Sequence, residues 1–185
     1  MIRLLPAQSA LLVVDVQERL AAAMATARME ALARNSGILL EAAGHLGVQV
    51  LASEQYPKGL GPTVAPVAER LRALGVTPVA KTTFDACGEP GIARPLSAIA
   101  PRAVIVVGME THVCVFQTVR ELVRRGYEVH VPVDAVASRT EENRLAGIAL
   151  CERAGAIATT TETVVFDWLE RAGTEAFRAV SKLVK

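Results

Sequence analysis

A chain of 185 residues, 51% of them hydrophobic, suits one domain spanning 1–185, with enough core to need neither disulfides nor a structural metal. Its 20 basic and 19 acidic residues leave a formal charge of +1, which speaks against a nucleic-acid surface or an acidic partner and fits small organic ligands. The three cysteines, Cys87, Cys114 and Cys151, are odd in number and far apart, so no disulfide framework is expected and a reducing, cytoplasmic setting follows. The start of the chain lacks signal-peptide organisation, because its apolar run is broken by Asp15, and no segment approaches the roughly 20 apolar residues of a membrane helix.

The first apolar run, Ala10-Leu-Leu-Val-Val14, predicts a strand over 10–15 that ends on Asp15, followed by Val16 and Gln17. A helix over 29–46 closes at His45 ahead of Gly47, and a strand follows over 48–53. Tyr56-Pro-Lys-Gly-Leu-Gly-Pro62 is Gly-Pro punctuation, either a pocket wall or an ordinary connection. A helix over 63–74 leads to a strand over 77–81 that ends on Lys81, and Cys87-Gly-Glu-Pro-Gly91 repeats the punctuation before a helix over 93–100. Ala103-Val-Ile-Val-Val107, apolar and β-branched, reads as a strand over 103–108 buried on both faces and stopped by Gly108. Helical spacing resumes over 113–125, with Thr111 as the expected N-cap and Gly126 as the stop. A strand over 128–133, a helix over 141–154 opened by a Ser138/Glu141 capping box, a strand over 156–160 and a helix over 175–184 complete the chain. Asp134 reads as a turn or helix-orienting residue, and Trp168, with Phe166 and Leu169, as core or subunit interface. Such alternation predicts an α/β fold: a three-layer, Rossmann-like sandwich around a six-stranded, mostly parallel sheet with helices on both faces.

In an open parallel sheet, reactive groups gather beyond the carboxyl ends of the strands, and Asp15, Lys81 and Cys114 stand at three such ends. Singly, each has a plain structural role: a turn cap, a solvated charge, a small buried hydrophobe. Together they are a base, a cation and a nucleophile. A cysteine in a first helical turn is further expected to have its pKa lowered toward neutrality by the helix field. His45, His112 and His130 show no ligand spacing, so no metal site is expected.

Val13-Val-Asp15-Val-Gln17, Lys81-Thr-Thr-Phe84 and Gly108-Met-Glu-Thr-His-Val-Cys114-Val resemble the aspartate, lysine and nucleophile motifs of the isochorismatase-like cysteine hydrolases, in the same order. Ser53-Glu-Gln-Tyr-Pro-Lys-Gly-Leu-Gly61, Glu110-Thr-His-Val-Cys114 and Ser138-Arg139 resemble the isochorismatase domain-containing branch. The resemblance implies the isochorismatase-like hydrolase fold, with Asp15 as general base, Lys81 as the charge that orients and stabilises, and Cys114 as nucleophile. It also implies a cis peptide at Met109-Glu110 and an oxyanion held by the backbone N–H groups of Glu110 and Cys114. The metal-binding aspartate and histidines of nicotinamidase-like relatives are replaced here by Ser53-Glu54-Gln55, and vinyl-ether-cleaving isochorismatases manage without the cysteine. The expectation is therefore a hydrolase that cleaves a C–N bond of a small amide or ureido compound through a Cys114 acyl-enzyme, without cofactor or metal. Gln17, Glu54, Gln55, Tyr56 and Phe84 are candidates to line its pocket. Two alternatives stay open: an isochorismatase-type ether hydrolase, and a non-catalytic or redox-sensing thiol protein with Cys87 as a partner thiol. A homo-oligomer, a dimer or higher, is expected, with neither nucleic acid nor membrane as partner.

Overall fold

Seven strands form one sheet in the computed structural model, which describes residues 1–184. In chain order they are β1 (Ser9–Val14), β2 (Gln49–Gln55), β3 (Val79–Lys81), β4 (Ala103–Met109), β5 (Glu128–Pro132), β6 (Val136–Ala137) and β7 (Ile157–Thr159). The helices are α1 (Glu18–Ala21), α2 (Thr26–Leu46), α3 (Pro57–Leu60), α4 (Ala65–Ala73), α5 (Pro90–Ile99), α6 (Phe116–Arg124), α7 (Glu141–Arg153), α8 (Thr161–Leu169) and α9 (Glu175–Val180). The strands run in the order β3-β2-β1-β4-β5-β7, with β6 beside the end of β4, and these ladders are parallel.

β1 and β4 are buried along their whole length, and successive side chains serve opposite faces of the sheet. Leu11, Val13, Ile105 and Val107 pack with Leu39 and Leu40 of α2, Leu71 of α4 and Val165 and Trp168 of α8. Leu12, Val14, Val104 and Val106 pack with Ile92 and Leu96 of α5, Val119 and Leu122 of α6 and Cys151 of α7. Both faces are thus covered, as continuous apolar runs without polar alternation require. Each such side chain stabilises the fold by roughly 1.5–3 kcal/mol relative to exposure.

The six expected strands are all present. The seventh, β6, is only two residues long, too short to leave a pattern. α8 falls where the sequence suggested only an amphipathic tail, α1 and α3 are single turns, and the last helix stops at Val180. Trp168 is a core residue, 3% exposed. Two expected caps are corrected. α7 is capped by Thr140, whose Oγ1 accepts from the Asn143 N–H at 3.2 Å, because Ser138 lies at the end of β6 and bonds elsewhere. Thr111 caps nothing: the turn it begins closes on the Glu110 carbonyl, and its own hydroxyl is buried without a partner. Asp134 does orient a helix, since its Oδ1 accepts from the N–H and the hydroxyl of Thr161 at the start of α8.

Candidate active site

Three strand ends deliver one residue each to a single buried cluster. β1 runs into Asp15, β3 ends on Lys81, and β4 leads through a wide π-type turn, Thr111–Val115, to Cys114. The winding of the sheet brings this about. From β1 the chain moves outward to β2 and β3, then returns to place β4 on the other side of β1, so the carboxyl ends of β1 and β4 border the crevice where the winding reverses.

Lys81 Nζ lies 2.7 Å from Asp15 Oδ2, and neither side chain has exposed surface. A buried ion pair survives its desolvation only with well-placed further partners, and here they exist. Ser53 Oγ donates to Asp15 Oδ1 at 2.8 Å. Lys81 Nζ donates to Gln55 Oε1 at 2.6 Å and to the carbonyls of Thr83 and Phe84 at 3.0 and 3.1 Å. The three ammonium protons therefore have three aligned acceptors. Asp15 Oδ2 has the ammonium at ion-pair distance but off the line of a hydrogen bond, and is buried with no hydrogen-bond partner. Asp15 is held at φ 53°, a left-handed conformation that costs a non-glycine residue of order 1–3 kcal/mol.

Cys114 is 5% exposed, and its thiol interacts with both Asp15 and Lys81. Burial pushes the thiol up to about 12, the charge of Asp15 adds to the rise, and Lys81 opposes it. The expected lowering toward neutrality is thereby corrected: burial of this turn outweighs the field of a helix start. The resting group is a neutral thiol, and a thiolate needs a neighbouring base to take its proton.

The turn that carries the thiol is fixed from two sides. Gly108, at φ 124°, leaves no room for a Cβ, which would run into the Val14 carbonyl of β1. Gly147 of α7 lies directly against the turn, where a Cβ would meet His112 N at 2.6 Å and Thr111 C at 2.7 Å. The Met109-Glu110 peptide is cis, and the Glu110 carbonyl accepts from the N–H groups of Val113 and Val115. Beside it, the Glu110 carboxylate accepts from the Arg139 N–H at 3.1 Å, with Arg139 Nε at 3.2 Å, and Ser138 Oγ pairs with His112 Nδ1 at 3.0 Å.

Of the pocket candidates, Gln17, Glu54 and Gln55 are engaged inside the fold. Gln17 bonds to the Gln55 backbone and to the Gly61 carbonyl, and Glu54 Oε1 accepts from the N–H and hydroxyl of Thr63. Tyr56 and Phe84 are exposed. A cleft of about 400 Å³ lies outside β3, lined by Tyr56, Pro57, Lys58, Ala80, Lys81, Thr82 and Glu89. A larger hollow of about 520 Å³, between Gly44, Gln49, Thr77 and Gly91, opens at the opposite end of β2, so volume alone does not mark the site and the chemistry of the cluster does. Ser53 and Gly147 went unassigned in the sequence. Ser53 left one signal, a small polar residue closing the strand expected over 48–53; in the structure it pairs in register with Val14, two residues before β2 ends. Among the described residues, no group of three or more His, Cys, Asp or Glu side chains is placed to hold a metal ion.

The family model for the isochorismatase domain matches residues 9–163, a span that contains every residue of this cluster. The chain belongs to the isochorismatase family. Among its relatives, isochorismatase domain-containing protein 2A of Mus musculus is 34% identical over 184 residues, covering 99% of this chain and 85% of that protein. Of solved structures, the MAR1 ribonuclease of Caenorhabditis elegans superposes with a TM-score of 0.92 at 38% identity, covering 99% of this chain and 92% of that one. The YcaC protein of Escherichia coli, described as an octameric hydrolase of unknown specificity, superposes with a TM-score of 0.89 at 20% identity over 99% of this chain and 89% of that one, a likeness of fold alone. The parallel sheet with helices on both faces is thus the isochorismatase-family fold, and no helix among the described residues is long and apolar enough to cross a membrane.

Proposed function

We propose that this protein is a cysteine hydrolase that cleaves the C–N bond of a small amide or ureido-type compound through an acyl-enzyme on Cys114. The observation that carries the reading is Asp15 Oδ2: a buried carboxylate oxygen with no hydrogen bond, charge-paired to Lys81 and interacting with a thiol. Such an oxygen has a free lone pair for the thiol proton, and the adjacent ammonium stabilises the negative charge as it moves to sulfur.

The Cys114 proton passes to Asp15 Oδ2 as Sγ bonds to the substrate carbonyl carbon and the π pair moves to oxygen. The resulting oxyanion is received by the backbone N–H groups of Glu110 and Cys114, the positions that family resemblance assigns to it. Collapse restores the carbonyl and breaks the C–N bond, while Asp15 gives its proton to the departing nitrogen. Water then yields a proton to Asp15 as its oxygen bonds to the thioester carbon, and on collapse the C–S bond breaks while Asp15 returns that proton to sulfur. None of these steps calls for a cofactor or metal.

A redox-sensing thiol is the weaker reading, because a sensor has no need of the buried Asp15–Lys81 pair beside its thiol, and burial raises the Cys114 thiol rather than favouring thiolate. Vinyl-ether hydrolysis leaves the thiol without a role. The octameric description of the E. coli relative supports a homo-oligomer here, and a cytoplasmic location accords with three unpaired cysteines. The deciding experiment is an ammonia-release screen over small amides and ureides, with intact-mass spectrometry for an acyl adduct. Release by the wild type, lost in Cys114→Ser, is the expected outcome. Equal release by both proteins would refute the reading, and cleavage of added single-stranded RNA by the wild type alone would replace it.

A further inference from the structure

We propose that Gln55, held by Gln17, is a positioning residue that keeps Asp15 Oδ2 free of hydrogen bonds by occupying one proton of Lys81. The inference rests on the function proposed above and assigns a role to two residues outside the triad. An ammonium has three protons. Were one unused, it would turn to the nearest free acceptor, Asp15 Oδ2 at 2.7 Å, and a lone pair engaged in that way is a poorer acceptor for the thiol proton. The third acceptor, beside the carbonyls of Thr83 and Phe84, is Gln55 Oε1 at 2.6 Å.

The amide of Gln55 has only one usable orientation. Its Nε2 donates to the Thr82 carbonyl at 3.0 Å, so its oxygen must face the ammonium. Its backbone is clamped in turn by the Gln17 side chain, which accepts from the Gln55 N–H at 2.7 Å and donates to the Gln55 carbonyl at 3.0 Å. Gln17 also donates to the Gly61 carbonyl at 2.8 Å, and is fully buried, while Gln55 is 8% exposed. Two neutral amides thus join the segment after β1, the end of β2 and the loop after β3 without adding charge. A carboxylate in place of Gln55 would compete with Asp15 for the ammonium, and an apolar side chain would release a proton toward Oδ2.

The test is the rate at which iodoacetamide modifies Cys114, followed by peptide mass spectrometry across a pH series. Cys87 and Cys151, also buried and also pushed up to about 12, serve as internal references. In this reaction the thiol proton leaves to the carboxylate or to water, the sulfur–carbon bond forms and iodide departs. In Gln55→Glu, modification of Cys114 should fall about tenfold at fixed pH and its rise should move to higher pH by about one unit, since the new carboxylate offsets Lys81. In Gln55→Met the rate at Cys114 should fall by a similar factor. Both changes should leave Cys87 and Cys151 at their wild-type rates. A merely structural Gln55 would speed all three thiols together and leave the pH profile of Cys114 in place, which overturns the proposal, as do rates within twofold of wild type in Gln55→Glu. If Gln55→Met unfolds, the isosteric Gln55→Glu decides the matter. Failure of the function itself looks different: in the wild type, Cys114 would then react no faster than Cys87 and Cys151.

Discussion

Gly147→Ala adds one methyl group against the backbone of the turn that carries Cys114, and its consequence can be worked out from distances. The new Cβ would sit 2.6 Å from His112 N, 2.7 Å from Thr111 C and 2.8 Å from His112 Cα, all of them backbone atoms of the turn carrying Cys114. Ordinary contact begins at 3.4 Å, so α7 and the turn must separate by up to about 0.8 Å. Alanine in a helix interior gains about 0.8–1 kcal/mol over glycine, while overpacking costs roughly 1–3 kcal/mol. The net loss of about 0–2 kcal/mol lowers Tm by up to roughly 8 °C for a chain of this size. The effect on chemistry is larger, since misplacing a reacting group by about 1 Å can cost 100-fold in rate. Calorimetry together with turnover of whichever amide the ammonia screen identifies would measure both quantities. Gly44→Ala is the control: its Cβ would meet only the end of the Leu74 side chain, at 2.8 Å, which can swing aside. A Gly147→Ala protein that melts at or above the wild-type temperature with full turnover would show that α7 does not hold the turn.

Asp15→Asn should reduce turnover by several orders of magnitude, because both half-reactions use the same base, and should also lower Tm, because it leaves the Lys81 ammonium buried without its counter-charge; a twofold loss of turnover would leave Asp15 a structural role only. Lys81→Met should be destabilising by about 3–5 kcal/mol in denaturant titration, since it strands a buried carboxylate, and unchanged stability would mean that the pair is not buried in solution. Stability should also fall as pH rises above 9. Cys87, Cys114 and Cys151 have folded-state pKa values of about 12 against an ordinary 9.0, so the folded state keeps protons that the unfolded state releases. Each thiol then contributes a slope of up to about 1.4 kcal/mol per pH unit between those values, and Cys151→Ala should flatten the alkaline fall in Tm. Turnover should survive dialysis against a chelator; a loss restored by zinc or iron would contradict the metal-free mechanism.

The parts legible in the sequence were those governed by short-range pattern. Apolar runs such as Ala10–Val14 and Ala103–Val107 cannot face water on either side, so they became the central strands, and the residues at their ends fell together because parallel strands share a direction. Gly126, at φ 88° just past α6, followed from the same local logic. What escaped depends on contacts between distant segments. Ser138 and Thr140 both precede a polar residue by three positions, so the spacing does not say which of them caps; in the structure the helix starts after Thr140, and Ser138 pairs with His112 instead. The direction of the Cys114 pKa is opposite to the expectation because a cysteine at a helix start looks the same in sequence however deeply its turn is buried. Gln17 and Gln55 were read toward a pocket because a polar residue at a strand end looks the same whether it meets a ligand or another amide.

β3 is three residues long and stands at the rim of the sheet, bonded to β2 alone. Asp15 and Cys114 follow the innermost strands, whereas Lys81, which completes the cluster, is supplied from this margin. Margins of a sheet open at a fraction of the free energy of global unfolding. Local opening of this margin is therefore expected to separate Lys81 from Asp15 at a lower free energy than dissolving the core. On the proposed mechanism, warming should abolish turnover through the departure of a single charge while β1 and β4 stay paired, and cooling should restore it.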